Sequence, residues 1–114
     1  AKCTRSMLME GSIEGNPLLI LVDSGASHNF VSKRLLRYFP TQVSKTKPFY
    51  IWFRDGHRVK SQGMCKKLKV RLGEEDFDVE AYIFNTTGPD LVLGMSWLET
   101  LGYVTTHWKN LIEF

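Results

Sequence analysis

A chain of 114 residues is too short to bury two separate hydrophobic cores, so we expect one domain spanning residues 1–114. Apolar residues make up 43% of it, which predicts a folded chain. The net charge of +3 is too small to indicate a nucleic-acid partner or a membrane surface. Cys3 and Cys65 lack metal-ligand spacing and suit a reducing compartment. Because the chain opens at Ala1 without a visible signal peptide, we expect a piece cut from a longer chain.

Alternation of apolar and polar residues dominates the chain, which predicts a mostly β fold. The stretch SMLMEGSIEGNPLLILVD predicts two strands, Met7 to Ile13 and Leu18 to Val22, with a turn at Gly15-Asn16-Pro17. The second strand has no polar residue, so we expect it to be buried on both faces. A short helix is expected in NFVSKRLLRYFP, which has apolar residues at helical spacing: Val31, Leu35, Leu36 and Phe39.

Two hairpins are predicted next. In FYIWFRDGHRVKSQG, strand-forming aromatic residues precede Asp55-Gly56, a pair that favours a tight two-residue turn. In KKLKVRLGEEDFDVEAYIF, two alternating arms flank a turn from Gly73 to Asp76. The cations of its first arm fall on the face opposite the apolar residues, which predicts a solvated face rather than a nucleic-acid site: Lys67, Lys69 and Arg71.

The last predicted elements are a strand and a helix. LVLG is a short apolar run closed by Gly94. SWLETLG predicts a helix that begins with a capping box of Ser96 and Glu99 and ends at Gly102. The tail from Tyr103 to Phe114 alternates loosely and could add one or two strands.

The stretch LILVDSGASHNF places the carboxylate of Asp23 at the end of an apolar run. Ser24 offers a hydroxyl, Gly25 permits close backbone approach and Ala26 leaves room beside the acid. These neighbours suit a carboxylate that meets a substrate or a second carboxylate. Asp-Ser-Gly is also a common turn after a strand, so the tripeptide alone does not decide between the two.

Aspartic-protease chemistry needs two carboxylates that share a proton. This chain has one Asp-Ser-Gly, and the other aspartates lie in turn-like or alternating contexts: Asp55, Asp76, Asp78 and Asp90. A single chain would therefore hold half of a site. A two-fold dimer that brings Asp23 of each subunit to the axis would complete it.

LLILVDSGASHNFVS together with DLVLGMSWLETLGYV resembles the retropepsin-like proteases of LTR retrotransposons, particularly the gypsy-type elements common in plants. The resemblance implies a closed all-β barrel with one or two short helices, forming half of a two-fold dimer. It implies an aspartic endopeptidase that needs no cofactor and cleaves its own polyprotein, in the cytoplasm or in virus-like particles there. Asp23 matches the catalytic position, Ser24 the position that braces the pair, and Gly25 and Ala26 the small residues beside the cleft.

The resemblance also assigns a flap and a cleft wall. The Asp55-Gly56 hairpin looks like the flap that closes over substrate; its residues are Trp52, Phe53, Arg54, Asp55, Gly56 and His57. The cleft-wall candidates are Val92, Leu93 and Gly94. Retroviral members often carry an Asp and an Arg that support the dimer, and here Ser27 and Met95 stand in those places. The flap is charged and bulky where retroviral flaps are glycine-rich.

The sequence is also compatible with other functions. One is a non-catalytic, domesticated retropepsin fold that serves as a dimerisation or protein-interaction module. Another is a nucleic-acid-binding β-barrel, which the near-balanced charge argues against. A triad of Ser24, His28 and Asp23 is disfavoured because groups so close on a turn rarely reach triad geometry. No His or Cys pair has the spacing of metal ligands, so no metal is expected.

Overall fold

The structure, a computed structural model, describes residues 6–38, 43–52, 56, 58–84 and 88–101. Its strands are β1 (Ser6–Ile13), β2 (Asn16–Asp23), β3 (Phe30–Ser32), β4 (Val43–Trp52), β5 (Arg58–Leu72), β6 (Glu75–Phe84) and β7 (Leu91–Leu93). The α-helix α1 (Met95–Leu98) and two 3₁₀ segments, Lys33–Arg37 and Glu99–Leu101, complete the described elements. None of the helices in this part of the chain is long and apolar enough to cross a membrane.

Six of the strands close into a barrel, as predicted. Neighbouring strands follow the order β1-β2-β7-β3-β6-β5, and β5 returns to β1 through the pairs Ser12↔Arg71 and Ile13↔Val70. The β2–β7 and β3–β6 pairs are parallel, and the others are antiparallel. β4 pairs with β5 outside this ring.

The barrel encloses a single cluster of buried side chains, mostly from alternate positions of the strands. In the β5–β6 hairpin the predicted alternation is confirmed, because Leu68, Val70 and Leu72 are buried while Lys67, Lys69 and Arg71 are exposed. Trp97 of α1 closes the cluster and packs edge-on against Phe77, with ring centroids 5.4 Å apart. The side chain of Cys65 is buried.

Two predicted turns are displaced. β1 and β2 pair up to Ile13↔Asn16, so their loop is Glu14-Gly15 rather than Gly15-Asn16-Pro17. Both loop residues have positive φ, as a type I′ turn requires. In the β5–β6 hairpin the loop is Gly73-Glu74, shorter than the predicted turn from Gly73 to Asp76, because Leu72 already pairs with Glu75.

One helix prediction is corrected, and a second, in SWLETLG, is confirmed as a helical segment (α1 and Glu99–Leu101) but without its predicted cap. The segment predicted as a helix from its apolar spacing contains β3 followed by the 3₁₀ segment Lys33–Arg37; Phe39 and Pro40 lie outside the described residues. The strand forms because β6 and β7 present backbone partners on both of its edges. α1 begins after Gly94 and has no side-chain cap, so Ser96 and Glu99 form no capping box. Gly102 and the tail after it lie outside the described residues.

Candidate active site

Asp23 lies at the end of β2, on the face that points away from the barrel core. Leu18, Ile20 and Val22 point into the core and are buried. Leu19 is exposed and Leu21 and Asp23 are half-buried on the other face. The strand is therefore buried on one face only, which corrects the prediction of two buried faces. This alternation leaves the carboxyl group at an accessible surface.

A tight turn after β2 orients the Asp23 carboxyl group. Gly25 N–H donates to Asp23 Oδ1 at 2.8 Å, and Ala26 N–H donates to the Asp23 carbonyl oxygen at 3.1 Å. Ser24, between them, is buried. The segment thus has the turn that its sequence favours. The same turn holds one oxygen of the carboxylate in a fixed position.

The turn is hydrogen-bonded to the start of α1. Met95 N–H donates to the Ala26 carbonyl at 2.7 Å, and Ser96 N–H donates to the Ser27 carbonyl at 3.2 Å. The backbones approach so closely at Gly94 that a Cβ there would lie 2.5 Å from the carbonyl oxygens of both Ala26 and His28. The two stretches that carry the sequence resemblance therefore form one structural unit. The absence of a side chain at Gly94 is what lets their backbones come this close.

Asn29, which no sequence motif singled out, joins three parts of this unit. It is buried; its Oδ1 accepts from Gly94 N–H at 2.8 Å, and its Nδ2 donates to the Glu80 carbonyl at 2.9 Å. Its backbone carbonyl accepts from Tyr82 N–H at 2.9 Å. The signal in the sequence is an amide directly before the apolar pair Phe30-Val31. A polar side chain at such a position needs buried partners.

Asp90 makes structural contacts and is not the second carboxylate of the predicted pair. Its Oδ1 lies 2.9 Å from Nη2 of Arg34, and its Oδ2 accepts from Leu19 N–H at 2.8 Å. Its backbone also bonds to Leu19 and to Ser32. These contacts join β2, β3 and the start of β7. Among the aspartates outside the Asp-Ser-Gly motif, Asp90 is thus committed to structure.

The predicted cleft wall divides between two faces. Val92 is opposite Leu21 on β2 and Phe30 on β3, and it shares the face of Asp23. Leu93 is fully buried in the core cluster, so its side chain cannot line a cleft as predicted. Phe30 is in turn opposite Tyr82 on β6, so the neighbouring side chains from β2 to β6 form an apolar and aromatic strip beside the carboxylate.

The comparisons with known proteins agree with this architecture. A family model described as retroviral aspartyl protease matches residues 5–112. The chain belongs to this family. A comparison with curated proteins gave no match.

Solved structures of retroviral-type proteases share the fold. The EIAV protease complexed with the inhibitor HBY-793 superposes with a TM-score of 0.66 at 16% identity, over 86% of this chain and 88% of that one. The retroviral protease-like domain of Ddi1 from Leishmania major gives a TM-score of 0.60 at 19% identity, over 84% and 77% of the two chains. Both similarities support the predicted fold class, a retropepsin-like closed barrel.

Two positions depart from the pattern of retroviral aspartyl proteases. Ser27, in place of the frequent Asp, has its Oγ 2.7 Å from Nδ1 of His28, whose ring packs edge-on against Tyr82. Met95, in place of the frequent Arg, is half-buried against the core. An apolar contact and a local hydrogen bond thus occupy the sites of the ion pair.

The structure describes only part of the predicted flap. β4 and β5 form the two strands of the hairpin predicted to be the flap, and their pairing within the described residues reaches Trp52↔Arg58. Gly56 has a φ of 90°, in the region that favours glycine. Phe53, Arg54, Asp55 and His57 lie outside the described residues, and so does the two-residue turn predicted there. Among the described residues, no group of three or more His, Cys, Asp or Glu side chains could hold a metal ion.

Proposed function

We propose that this chain is an aspartic endopeptidase that acts as a homodimer, with one Asp23 from each subunit in a shared site. The observation that carries the proposal is the position of Asp23. Its carboxyl group is half-buried on the open face of β2, and the turn that holds it is fixed by hydrogen bonds to α1. The chain contains one such motif, so the second carboxylate has to come from a second copy.

The chemistry follows from two carboxyl groups at close range. Because two negative charges cannot be held together cheaply, the pair shares one proton. The ionised Asp23 takes a proton from a water molecule that attacks the peptide carbonyl, and the protonated Asp23 gives its proton to the leaving nitrogen. The Gly25 N–H on Oδ1 keeps the carboxylate oriented during this exchange. Ser24 is the proposed bracing residue between subunits.

The substrate in this proposal is an extended polypeptide. It would lie between the flap arms and the strip formed by Leu21, Val92 and Phe30, bonded like an added strand with alternate side chains in pockets. We further propose that the natural substrate is the polyprotein of a retroelement and that cleavage takes place in the cytoplasm, including in virus-like particles.

Cleavage of an unstructured polypeptide, followed across pH with and without a statine-type inhibitor, tests the proposal. We expect inhibitor-sensitive cleavage that Asp23→Asn abolishes. Asp78→Asn is the matched control, because Asp78 is exposed on β6 and remote in sequence from the motif. Sedimentation at several concentrations should show that activity follows the dimer. Cleavage that persists in Asp23→Asn would refute the mechanism.

The similarity to the retroviral protease-like domain of Ddi1 supports a second candidate. In that case the barrel is a non-catalytic dimerisation or protein-interaction module. Well-formed dimers that neither cleave a polypeptide nor bind the inhibitor at any pH would establish it over the enzyme.

A further inference from the structure

The positive charge of the chain is concentrated in one half of the β4–β5–β6 region. Residues 43–65 contain one carboxylate, Asp55, and five cations: Lys45, Lys47, Arg54, Arg58 and Lys60. Residues 66–84 contain four cations and five carboxylates. Since the whole chain has a net charge of +3, the first segment carries a larger positive charge than the entire molecule. The small net charge of the whole chain therefore does not reflect the β4–β5 hairpin, which is strongly basic.

Strand register places opposite charges beside each other in the second segment. Along β5–β6, Lys69 is opposite Asp78 and Arg71 is opposite Asp76, with an Arg71–Asp76 ion pair at 3.4 Å. Opposite charges across a strand pair cancel at the surface. Along β4–β5 two of the cations have aromatic cross-strand partners instead. Lys60 is opposite Tyr50, and Arg58 is opposite Trp52.

Cation and aromatic ring already stack on this hairpin. The Tyr50 side chain is 46% exposed, and Cζ of Arg58 lies 4.1 Å from the centroid of its ring. Lys60 and Lys47 are exposed as well. β4 lies at the end of the strand order, so this surface is at the rim of the barrel.

We propose that the basic hairpin surface, formed by Tyr50, Arg58 and Lys60, binds single-stranded nucleic acid. Cations that follow a phosphate backbone, interleaved with aromatic rings on which bases stack, are the features of single-strand binding surfaces. An acidic polypeptide would match the charge but has no base to stack on Tyr50. The proposal departs from the expectation of no nucleic-acid partner, which rested on the net charge and on the Lys67 to Arg71 strand.

Binding of a fluorescent oligothymidylate to the full chain, measured by anisotropy over a range of salt concentrations, tests this surface. We expect saturable binding at about 50 mM salt that weakens steeply as salt is added. The double variant Arg58→Gln/Lys60→Gln should bind about tenfold more weakly, with the salt slope reduced by about 1.4, since each single-strand phosphate contact contributes about 0.7. Tyr50→Leu should also weaken binding about tenfold through lost stacking.

The matched control is Lys69→Gln/Arg71→Gln, which removes two charges from the same strand where β6 neutralises them. It should change the affinity less than about twofold. Lys60→Arg, which keeps the charge, should bind like the parent chain and shows that charge rather than folding is measured. Equal weakening by both double variants, or no salt-dependent binding, would overturn the proposal. So would unchanged affinity in Tyr50→Leu with equally strong competition by polyglutamate, which would indicate an acidic polypeptide partner instead.

Discussion

The backbone N–H of Gly94 donates a 2.8 Å hydrogen bond to Oδ1 of Asn29, and both groups are buried. This contact joins the segment after Asp23 to the start of α1. We therefore expect Asn29→Ala to lower the free energy of unfolding by about 2 kcal/mol, because it leaves the Gly94 N–H without its acceptor. Urea unfolding at fixed protein concentration measures the loss. Asn16→Ala is the control, since the Asn16 amide bonds to carbonyl groups of its own turn at 3.2 and 3.4 Å. Equal losses in the two variants would contradict the role of Asn29.

Gly94→Ala tests the close approach of the two backbones. The new Cβ would lie 2.5 Å from two carbonyl oxygens, and backbone atoms cannot move aside as a flexible side chain can. We expect a destabilisation of at least about 2 kcal/mol, together with loss of cleavage as the Asp23 turn shifts. Gly63→Ala is the matched control, because Gly63 is also buried but a Cβ there meets neighbours at 3.4 Å or more. A variant at Gly94 as stable and active as this control would show that the approach is not required.

Asp90 and Asp23 should separate stability from activity. Asp90→Ala removes the acceptor of Leu19 N–H and the carboxylate that forms an ion pair with Arg34. We therefore expect it to lower the free energy of unfolding by about 2 kcal/mol. The folded fraction should still cleave peptide. Asp23→Asn should unfold like the parent chain and not cleave. Thermal unfolding and cleavage per folded dimer, measured on both variants, check this, and an inactive but stable Asp90→Ala would contradict it.

The sequence predicted what depends on alternation and on short motifs. The alternating arms of β5 and β6 were found because side chains two apart share a face. The strand before Asp23 was found from its short apolar run, and the alternation of its two faces was not. β3 was mistaken for a helix because Val31, Leu35 and Leu36 have helical spacing, while the strand depends on partners from β6 and β7 far along the chain. Asn29 and Asp90 were missed as structural residues for the same reason. Their partners, Gly94 and Arg34, lie more than fifty positions away.

Val92 and Leu93 are adjacent residues on opposite faces of β7, and they give the sharpest test of the proposed cleft. Val92 lies beside Leu21 and Phe30 on the face of Asp23, so Val92→Ala should change the relative kcat/KM of peptides with large and small apolar side chains at the cleaved bond. It should cost about 1 kcal/mol or less of stability, because Val92 is only half-buried. Leu93 is fully buried, so Leu93→Ala should cost about 3 kcal/mol of stability through the cavity it leaves. The peptide preference of its folded fraction should be unchanged. If Leu93→Ala rather than Val92→Ala altered the preference, the face bearing Asp23 would not be the one that binds substrate.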